Sequence, residues 1–214
     1  MLDAAFETME TATFETSLGA TDELGNDSAK RTTALRERQH AGVVVWFTGL
    51  PSSGKSSLAE RVQARLSEPC CLLDGDRLRK IIHANAGYSA SDRDEFYTTL
   101  GALAAELARQ GLVVLVAATA RRRAHRQHAR THAPHFMEVW LDSGLDECRK
   151  RDAKGLYAGF ARGSVRDLPG EDVEYEAPES PDVRATGARD EAALQLIVHR
   201  LEERNRVRTA CIDG

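Results

Sequence analysis

The sequence predicts an α/β protein in which a mainly parallel β-sheet is covered by helices on both faces. Short apolar runs alternate with segments in which apolar residues recur at helical spacing. A turn rich in glycine and serine joins the first apolar run to the first helical segment. Strands separated by helices pair in parallel, and parallel sheets are buried on both faces.

Four apolar runs are predicted to be buried strands, and the first is β-branched and aromatic. Ligands of such sheets bind at the carboxyl ends of the strands. We therefore expect the turns at Gly49, Asp74 and Thr119 to line one cleft. The predicted strands are Val43–Phe47, Cys70–Leu73, Leu112–Ala118 and Phe136–Leu141.

The intervals between the strands are predicted to be helical. Leu58, Val62 and Leu66 recur at helical spacing after the first turn. The longest helix is predicted to start at a Ser91 cap and to end at Gly111. The other helices are Asp76–Ala84, Ala124–Arg130, Gly144–Arg151 and Asp190–Arg204.

The chain is predicted to form one folded domain over residues 39–208. Every charged residue before Lys30 is acidic, so residues 1–38 are predicted to be a weakly ordered acidic extension. Residues 209–214 are predicted to be a tail. The hydrophobic residues of segment 151–178 recur with no clear period. A long irregular segment favours an active-site lid, with a surface insertion as the alternative.

Composition and charge exclude several classes of protein. The chain has 214 residues, of which 42% are hydrophobic and 29% charged, as in ordinary globular enzymes. A net charge of −4 argues against nucleic acid as the main partner, so a small-molecule substrate is expected. The longest apolar run, Leu112–Ala118, is too short to span a membrane, and no signal peptide is visible. We expect a cytoplasmic protein.

The cysteines and histidines are predicted to be structural. Cys70, Cys71, Cys148 and Cys211 have no C-x-x-C spacing, which favours free buried thiols in a reducing compartment. Four histidines recur at helical spacing and form either a metal-binding face or, as we favour, a solvated helix face. They are His125, His128, His132 and His135.

The turn after the first strand fits the phosphate-binding motif G-x-x-x-x-G-K-[ST] at every fixed position. Backbone N–H groups and the helix dipole bind phosphate in such a loop. Lys55 is expected to reach the β- and γ-phosphates of ATP, and Ser56 to ligate Mg²⁺. The fold is therefore predicted to be a P-loop NTPase-type three-layer α/β/α sandwich. The predicted nucleotide-binding residues are Gly49, Ser52, Ser53, Gly54, Lys55, Ser56 and Ser57.

Two carboxylates follow the second predicted strand, in the segment "LLDGDRLRK". One of Asp74 and Asp76 can orient Mg²⁺, and the other can accept the proton of an attacking hydroxyl. We predict Lys55, Asp74 and Asp76 as catalytic residues, with Asp74 joining Ser56 at the metal. The division of roles between the carboxylates stays open, and an Asx turn with a surface charge pair is the alternative.

In order, the segments "VVVWFTGLPSSGKSS", "LLDGDRLR", "GYSASDRDE", "RDAKGLY" and "YEAPESP" resemble adenylylsulfate kinases over about residues 39–204. The resemblance implies a P-loop kinase that transfers phosphate from ATP–Mg²⁺ to the 3′-hydroxyl of adenosine 5′-phosphosulfate. It also implies a lid over both nucleotides and a homodimer. The acceptor-binding residues that it implies are Arg79, Tyr88, Arg93, Phe96, Lys154 and Leu168.

The acceptor half departs from the family pattern. The family's asparagine and two arginines after Arg93 are replaced by Phe96, Thr98 and Thr99, and an aromatic residue of its lid is replaced by Leu168. A kinase for another hydroxyl acceptor and a weakly catalytic nucleotide-binding module are therefore kept as alternatives. Phe96, Tyr97 or Phe160 could replace the lost ring, unless Phe96 faces the core. Arg121, Arg122 and Arg123 either restore anion contacts or form a solvated basic run.

Overall fold

The structure of the protein, a computed structural model, describes residues 41–82 and 89–210. The predicted extension, Tyr88 and Cys211 lie outside these residues. Five strands form one sheet in the order β2-β3-β1-β4-β5, and every neighbouring pair is parallel. The strands are β1 (Val43–Gly49), β2 (Cys70–Asp74), β3 (Val113–Ala117), β4 (Phe136–Leu141) and β5 (Val183–Ala185).

Within the described residues, seven helices accompany the sheet. They are α1 (Lys55–Gln63), α2 (Gly75–Ile82), α3 (Ala90–Arg109), α4 (Arg123–His132), α5 (Leu145–Arg151), α6 (Leu156–Ala161) and α7 (Glu191–Ala210).

Alternate side chains of β1 enter two separate hydrophobic cores. Val45 and Phe47 pack in one core with residues of α1 and α7, such as Leu58. Val44 and Trp46 pack in the other core with residues of α3 and α4. This alternation follows from the two-residue period of a strand that is buried on both faces. The predicted three-layer α/β/α fold is confirmed.

The register of the sheet brings three strand ends together. In β1, Phe47 lies opposite Ala117 of β3, which in turn lies opposite Asp74 at the end of β2. Gly49 lies opposite Leu141 at the end of β4. The three turns that were predicted to line one cleft therefore leave the sheet at the same edge.

The start of α3 differs from the prediction, because Ser89 rather than Ser91 caps it. Ser89 Oγ accepts a hydrogen bond from the Asp92 N–H at 3.2 Å, and the Asp92 carboxylate accepts one from the Ser89 N–H at 3.1 Å. This reciprocal pair is a capping box. Both serines are suitable cap residues, and each has an aspartate three positions later. Asp94, which follows Ser91, is bound by Arg122 and His125 instead, whereas Asp92 pairs with Ser89.

Two elements depart from the predicted pattern in the last third of the chain. Residues 151–178, predicted to be irregular, contain α6. Helix α7 extends from Glu191 to Ala210, beyond the predicted end at Arg204 and into the predicted tail. Arg204 donates to the carbonyl oxygen of Ala41, and Arg208 donates to that of Gly111, which attaches the end of α7 to the sheet.

The prediction of a solvated histidine face is wrong for His125, which is only 8% exposed. Its Nε2 lies 2.7 Å from Asp94, and its ring packs on that of Tyr97. In the described part of the chain, no three His, Cys, Asp or Glu side chains are grouped so that they could hold a metal ion, and no helix is long and apolar enough to cross a membrane. Cys148 is buried, whereas Cys70 and Cys71 are only partly buried, and all three are free thiols.

Candidate active site

The phosphate-binding loop between β1 and α1 requires both of its fixed glycines. A Cβ atom on Gly49 would lie 2.6 Å from the carbonyl oxygen of Leu141. Gly54 has φ of +100°, and a Cβ atom there would lie 2.8 Å from the Cβ of Ala188. A side chain at either position would therefore clash with the neighbouring strand or with the segment before α7.

Lys55 lies at the start of α1 and donates to the loop itself. Its Nζ lies 3.1 Å from the carbonyl oxygen of Gly49 and 2.8 Å from that of Leu50. Burial lowers the pKa of Lys55 to about 8, although the negative charge of Asp76 opposes this shift. An ammonium group in this position can exchange its carbonyl contacts for phosphate oxygens.

The serines of the loop fall into three environments. Ser52 Oγ and Ser53 Oγ are buried and make no hydrogen bond within the described residues, which fits a loop built to receive a polar ligand. Ser56 is half-buried and faces β2, as described below. Ser57 is exposed on the first turn of α1.

Ser56 and Asp74 form the pair that was predicted to hold a metal. Ser56 Oγ donates to Asp74 Oδ2 at 2.6 Å, while Asp74 Oδ1 accepts from the N–H groups of Asp76 and Arg77 at 3.1 and 3.0 Å. Asp74 therefore forms the Asx turn with one oxygen and the predicted metal-site pair with the other. Burial raises the pKa of Asp74, but the hydrogen bonds from Ser56 and Arg77 outweigh burial and lower it. A hydroxyl and an ionised carboxylate are oxygen ligands that fit Mg²⁺.

Asp76 is exposed at the start of α2 and forms an ion pair with Lys154 of the lid segment. Their charges attract across the cleft between the second strand end and the lid. The structure therefore brings together a candidate proton acceptor and a lid cation that are 78 positions apart in the sequence.

Arg79 and Phe96, two of the residues that the resemblance assigns to the acceptor, contact each other. The Arg79 guanidinium carbon lies 4.1 Å from the centroid of the Phe96 ring. Phe96 is 2% exposed and Arg79 is 9% exposed. Of the two alternatives for Phe96, the structure has the ring facing the core, so Phe96 is not an open stacking platform for a base.

Arg93 connects α3 to the lid, because its Nη2 donates to the carbonyl oxygen of Asp167 at 3.0 Å. The next residue, Leu168, is 3% exposed and packs with Cys148 and Tyr157 in a small core of the lid. Phe160 packs partly buried against the same core. Leu168 has no ring, and the Phe160 ring is packed against this core, so neither side chain is an open surface on which a base could stack.

The predicted lid segment, residues 151–178, also contacts the phosphate-binding loop. Leu50 of the phosphate-binding loop packs against the lid core, and Tyr157 Oη donates to the carbonyl oxygen of Pro51 at 3.0 Å. Arg149 and Glu171 form an ion pair between α5 and the far part of the lid. One segment therefore contacts the phosphate-binding loop, Asp76 and Arg93.

Arg126 is a residue of the cleft architecture that the sequence analysis missed. It is 2% exposed and donates to Glu138 of β4 at 2.6 Å, to the carbonyl oxygen of Ala120 at 2.6 Å and to that of Glu176 at 2.7 Å. A glutamate inside the apolar run of β4 indicates a buried cationic partner, and this observation could have found Arg126.

The basic run before α4 is engaged in local ion pairs. Arg122 Nη1 donates to both carboxylate oxygens of Asp94 at 3.1 Å, and Arg123 pairs with Glu179. These contacts attach the loop after β3 to the first turn of α3 and to the segment after the lid.

The family model described as adenylylsulphate kinase matches residues 41–186, which include the phosphate-binding loop, the carboxylate turn and the lid. The chain belongs to the adenylylsulphate kinase family. An adenylyl-sulfate kinase from Synechococcus sp. (strain JA-3-3Ab) is 43% identical over 146 residues, which are 66% of this chain and 82% of the relative. One from Enterobacter sp. (strain 638) is 42% identical over 163 residues, 73% of this chain and 81% of the relative.

Other relatives extend the comparison to larger proteins and to structures. The bifunctional enzyme NodQ from Azospirillum brasilense is 40% identical over 178 residues, and the matched part spans 80% of this chain but 28% of NodQ. The Mycobacterium tuberculosis APS kinase CysC, solved in complex with AMPPNP and APS, has a TM-score of 0.70 and 40% identity. That match covers 76% of this chain and 98% of CysC.

In this adenylylsulphate kinase family member, the loop after β1 has every fixed position of the phosphate-binding motif. Two positions at which the sequence analysis found departures from the family pattern, Phe96 and Leu168, lie in apolar packing rather than on an open surface.

Proposed function

We propose that this protein is a kinase that transfers the γ-phosphoryl group of ATP to the 3′-hydroxyl of adenosine 5′-phosphosulfate, giving 3′-phosphoadenosine 5′-phosphosulfate. The observation that carries the proposal is the meeting of Lys55, the Ser56–Asp74 pair and Asp76 at one edge of the sheet. Family membership supports the same activity.

On the donor side, the loop N–H groups and the Lys55 ammonium bind the β- and γ-phosphates. Lys55 leaves the carbonyl oxygens of Gly49 and Leu50 and donates to phosphate instead. Ser56 and Asp74 would hold Mg²⁺, which neutralises phosphate charge when it is bound. The hydroxyls of Ser52 and Ser53 are available as further polar contacts.

On the acceptor side, we assign the proton to Asp76. Both oxygens of Asp74 are engaged, one by the Asx turn and one by Ser56, whereas Asp76 is exposed to the cleft. The 3′-oxygen forms its bond to phosphorus, the bond to the ADP oxygen breaks, and the hydroxyl proton moves to the Asp76 carboxylate. Lys154 holds that carboxylate through its ion pair.

A kinase for a different hydroxyl acceptor is the second candidate, and the burial of Phe96 and Leu168 favours it. Neither position offers an open ring, so within the described residues the lid ring that the resemblance implies for the acceptor base has no replacement at Phe96 or Leu168. Stacking of one base on an aromatic side chain contributes about 1–3 kcal/mol. This candidate keeps the donor chemistry and changes only the second substrate.

Transfer assays with γ-labelled ATP–Mg²⁺ distinguish the two candidates. The protein is incubated with adenosine 5′-phosphosulfate and with a panel of other hydroxyl acceptors, and labelled products are separated. We expect label on adenosine 5′-phosphosulfate. If a folded protein that binds ATP transfers nothing to it at saturating concentration, the second candidate replaces the first.

We also propose a cytoplasmic location and a homodimeric assembly. The free thiols Cys70, Cys71 and Cys148 support a reducing compartment. The family resemblance supports the dimer. Cell fractionation tests the location, and light scattering of the purified protein gives the number of subunits.

A further inference from the structure

A continuous row of side chains connects Arg79 on α2 with the start of α4. The Arg79 guanidinium carbon lies 4.1 Å from the Phe96 ring centroid, and the rings of Phe96 and Tyr97 meet edge to face at 5.4 Å. The Tyr97 ring lies 4.7 Å from that of His125, whose Nε2 lies 2.7 Å from Asp94.

The inner part of this row is fixed by packing. Phe96, Tyr97 and His125 are each at most 8% exposed, and Phe96 and Tyr97 belong to the core that α3 forms against the sheet. A ring in a packed core has one orientation. The face that Phe96 offers to the guanidinium is therefore set by the core rather than by the cleft.

The position of Arg79 over this ring matters because Arg79 is a buried cation, and the family resemblance assigns it to the acceptor. A buried guanidinium is attracted to the negative face of an aromatic ring. The ring holds the cation in one place, because the guanidinium carbon lies 4.1 Å from the centroid of a ring that is itself fixed in the core.

We propose that Phe96 is a positioning residue that holds Arg79 for the anionic group of the acceptor. Phe96 thus acts on the acceptor through Arg79 and does not contact the acceptor itself. The inference deepens the proposed function and rests on it, because it concerns the acceptor side of the same cleft.

Three variants test the inference. Phe96→Leu keeps an apolar side chain but removes the ring face, and Phe96→Tyr keeps the ring. Leu100→Val is the matched control, since Leu100 is fully buried one turn further along α3 and lies outside the row. Thermal melting of each variant shows whether it is folded.

The kinetic readout is the KM of adenosine 5′-phosphosulfate, measured beside kcat and the KM of ATP. We expect Phe96→Leu to raise the acceptor KM by about three- to thirtyfold, the range of a cation–π contact, with the ATP KM within about twofold. Phe96→Tyr should stay within about twofold of the parent. Leu100→Val should lower the melting temperature and leave the acceptor KM unchanged.

A second readout needs no acceptor. In the parent, the ring current of Phe96 should shift the Arg79 side-chain Nε–H resonance, assigned by its loss in Arg79→Lys. Phe96→Leu should abolish the shift, and Leu100→Val should keep it.

The outcomes separate the inference from the proposed function. If the parent uses adenosine 5′-phosphosulfate and Phe96→Leu behaves like Leu100→Val, the inference is overturned and the function stands. If the parent is folded but transfers nothing to that acceptor, the function falls, and the Arg79 resonance then decides whether Phe96 positions Arg79. If the Arg79 Nε–H resonance of the parent shows no ring-current shift, the inference is overturned whatever the acceptor is.

Discussion

Lys55 and Asp74 illustrate how much of the site a short motif can predict. The contacts of both side chains are local or depend on strand ends that the register fixes, so the phosphate-binding motif for Lys55 and the position at a strand end for Asp74 were sufficient to predict them. Phe96 was harder to place, because its burial depends on how α3 packs on the sheet. No spacing within its own segment shows that packing.

Nucleotide binding should weaken above pH 8 because of Lys55. Burial lowers the pKa of Lys55 to about 8, and bound phosphates raise it again. The bound form therefore holds the proton more tightly, so affinity is level below pH 8 and falls as the pH rises through the free-state value, by up to about tenfold per pH unit.

Calorimetric titration with ATP–Mg²⁺ at pH 7.5 to about 9.5, in buffers of different ionisation enthalpy, measures this effect. Proton uptake on binding should appear above pH 8. A Lys55→Met variant should bind more weakly and show neither trend. Equal affinity of the parent across this range would contradict the assigned pKa.

Asp76→Asn should reduce kcat by about 10²–10⁴-fold, the usual contribution of general-base assistance. ATP affinity at neutral pH should change little, because Asp76 pairs with Lys154 and is not one of the proposed phosphate or metal ligands. Asp146→Asn, at a carboxylate that is 83% exposed on α5, is the control. An unchanged kcat in Asp76→Asn would assign the proton to Asp74.

Among the helices and strands, those with a clear hydrophobic pattern in their own sequence could be predicted best. The bounds of β4 match the prediction because an apolar run between turn residues is sufficient to define a buried strand. Helix α6 was missed because it is only six residues long and its packing involves distant residues, although the Asp152 carboxylate accepts hydrogen bonds from the N–H groups of Tyr157 and Ala158. Its Tyr157 reaches Pro51, and Gly155 before it has a φ of +67°.

The cap of α3 gives a test at the scale of one element. Ser89→Ala should lower the free energy of unfolding by about 1 kcal/mol, since it removes the acceptor for the Asp92 N–H. Ser91→Ala should have a smaller effect, because Ser91 is exposed inside the helix. Chemical denaturation of both variants measures the difference, and an equal loss would place the cap elsewhere.

Across the whole molecule, Arg126 joins α4, β4, the loop after β3 and the segment after the lid. Arg126→Met should lower the free energy of unfolding by about 3–5 kcal/mol, because it leaves the buried Glu138 without its closest cation. The adjacent Arg130 lies at 3.4 Å from Glu138 and compensates only in part.

Denaturant unfolding of three variants measures this contribution. Arg109→Met removes a half-exposed pair within α3 and one exposed hydrogen bond to the carbonyl oxygen of His132, and it should change stability by less than about 1.5 kcal/mol. Adding Glu138→Met to Arg126→Met should restore part of the loss, since both charges are then absent. A loss for Arg126→Met no larger than that for Arg109→Met would show that the contacts of Arg126 contribute little.

The two sides of the cleft are built from different parts of the polypeptide, and this has an evolutionary consequence. The proposed ATP side depends on backbone groups, on two glycines that admit no side chain and on the side chains of Lys55, Ser56 and Asp74, so few substitutions there would keep phosphoryl transfer. The acceptor side depends on side chains of α2, α3 and the lid, which can be exchanged while the phosphate chemistry continues. A gene of this kind can change its second substrate by successive mutations and keep phosphoryl transfer at each step.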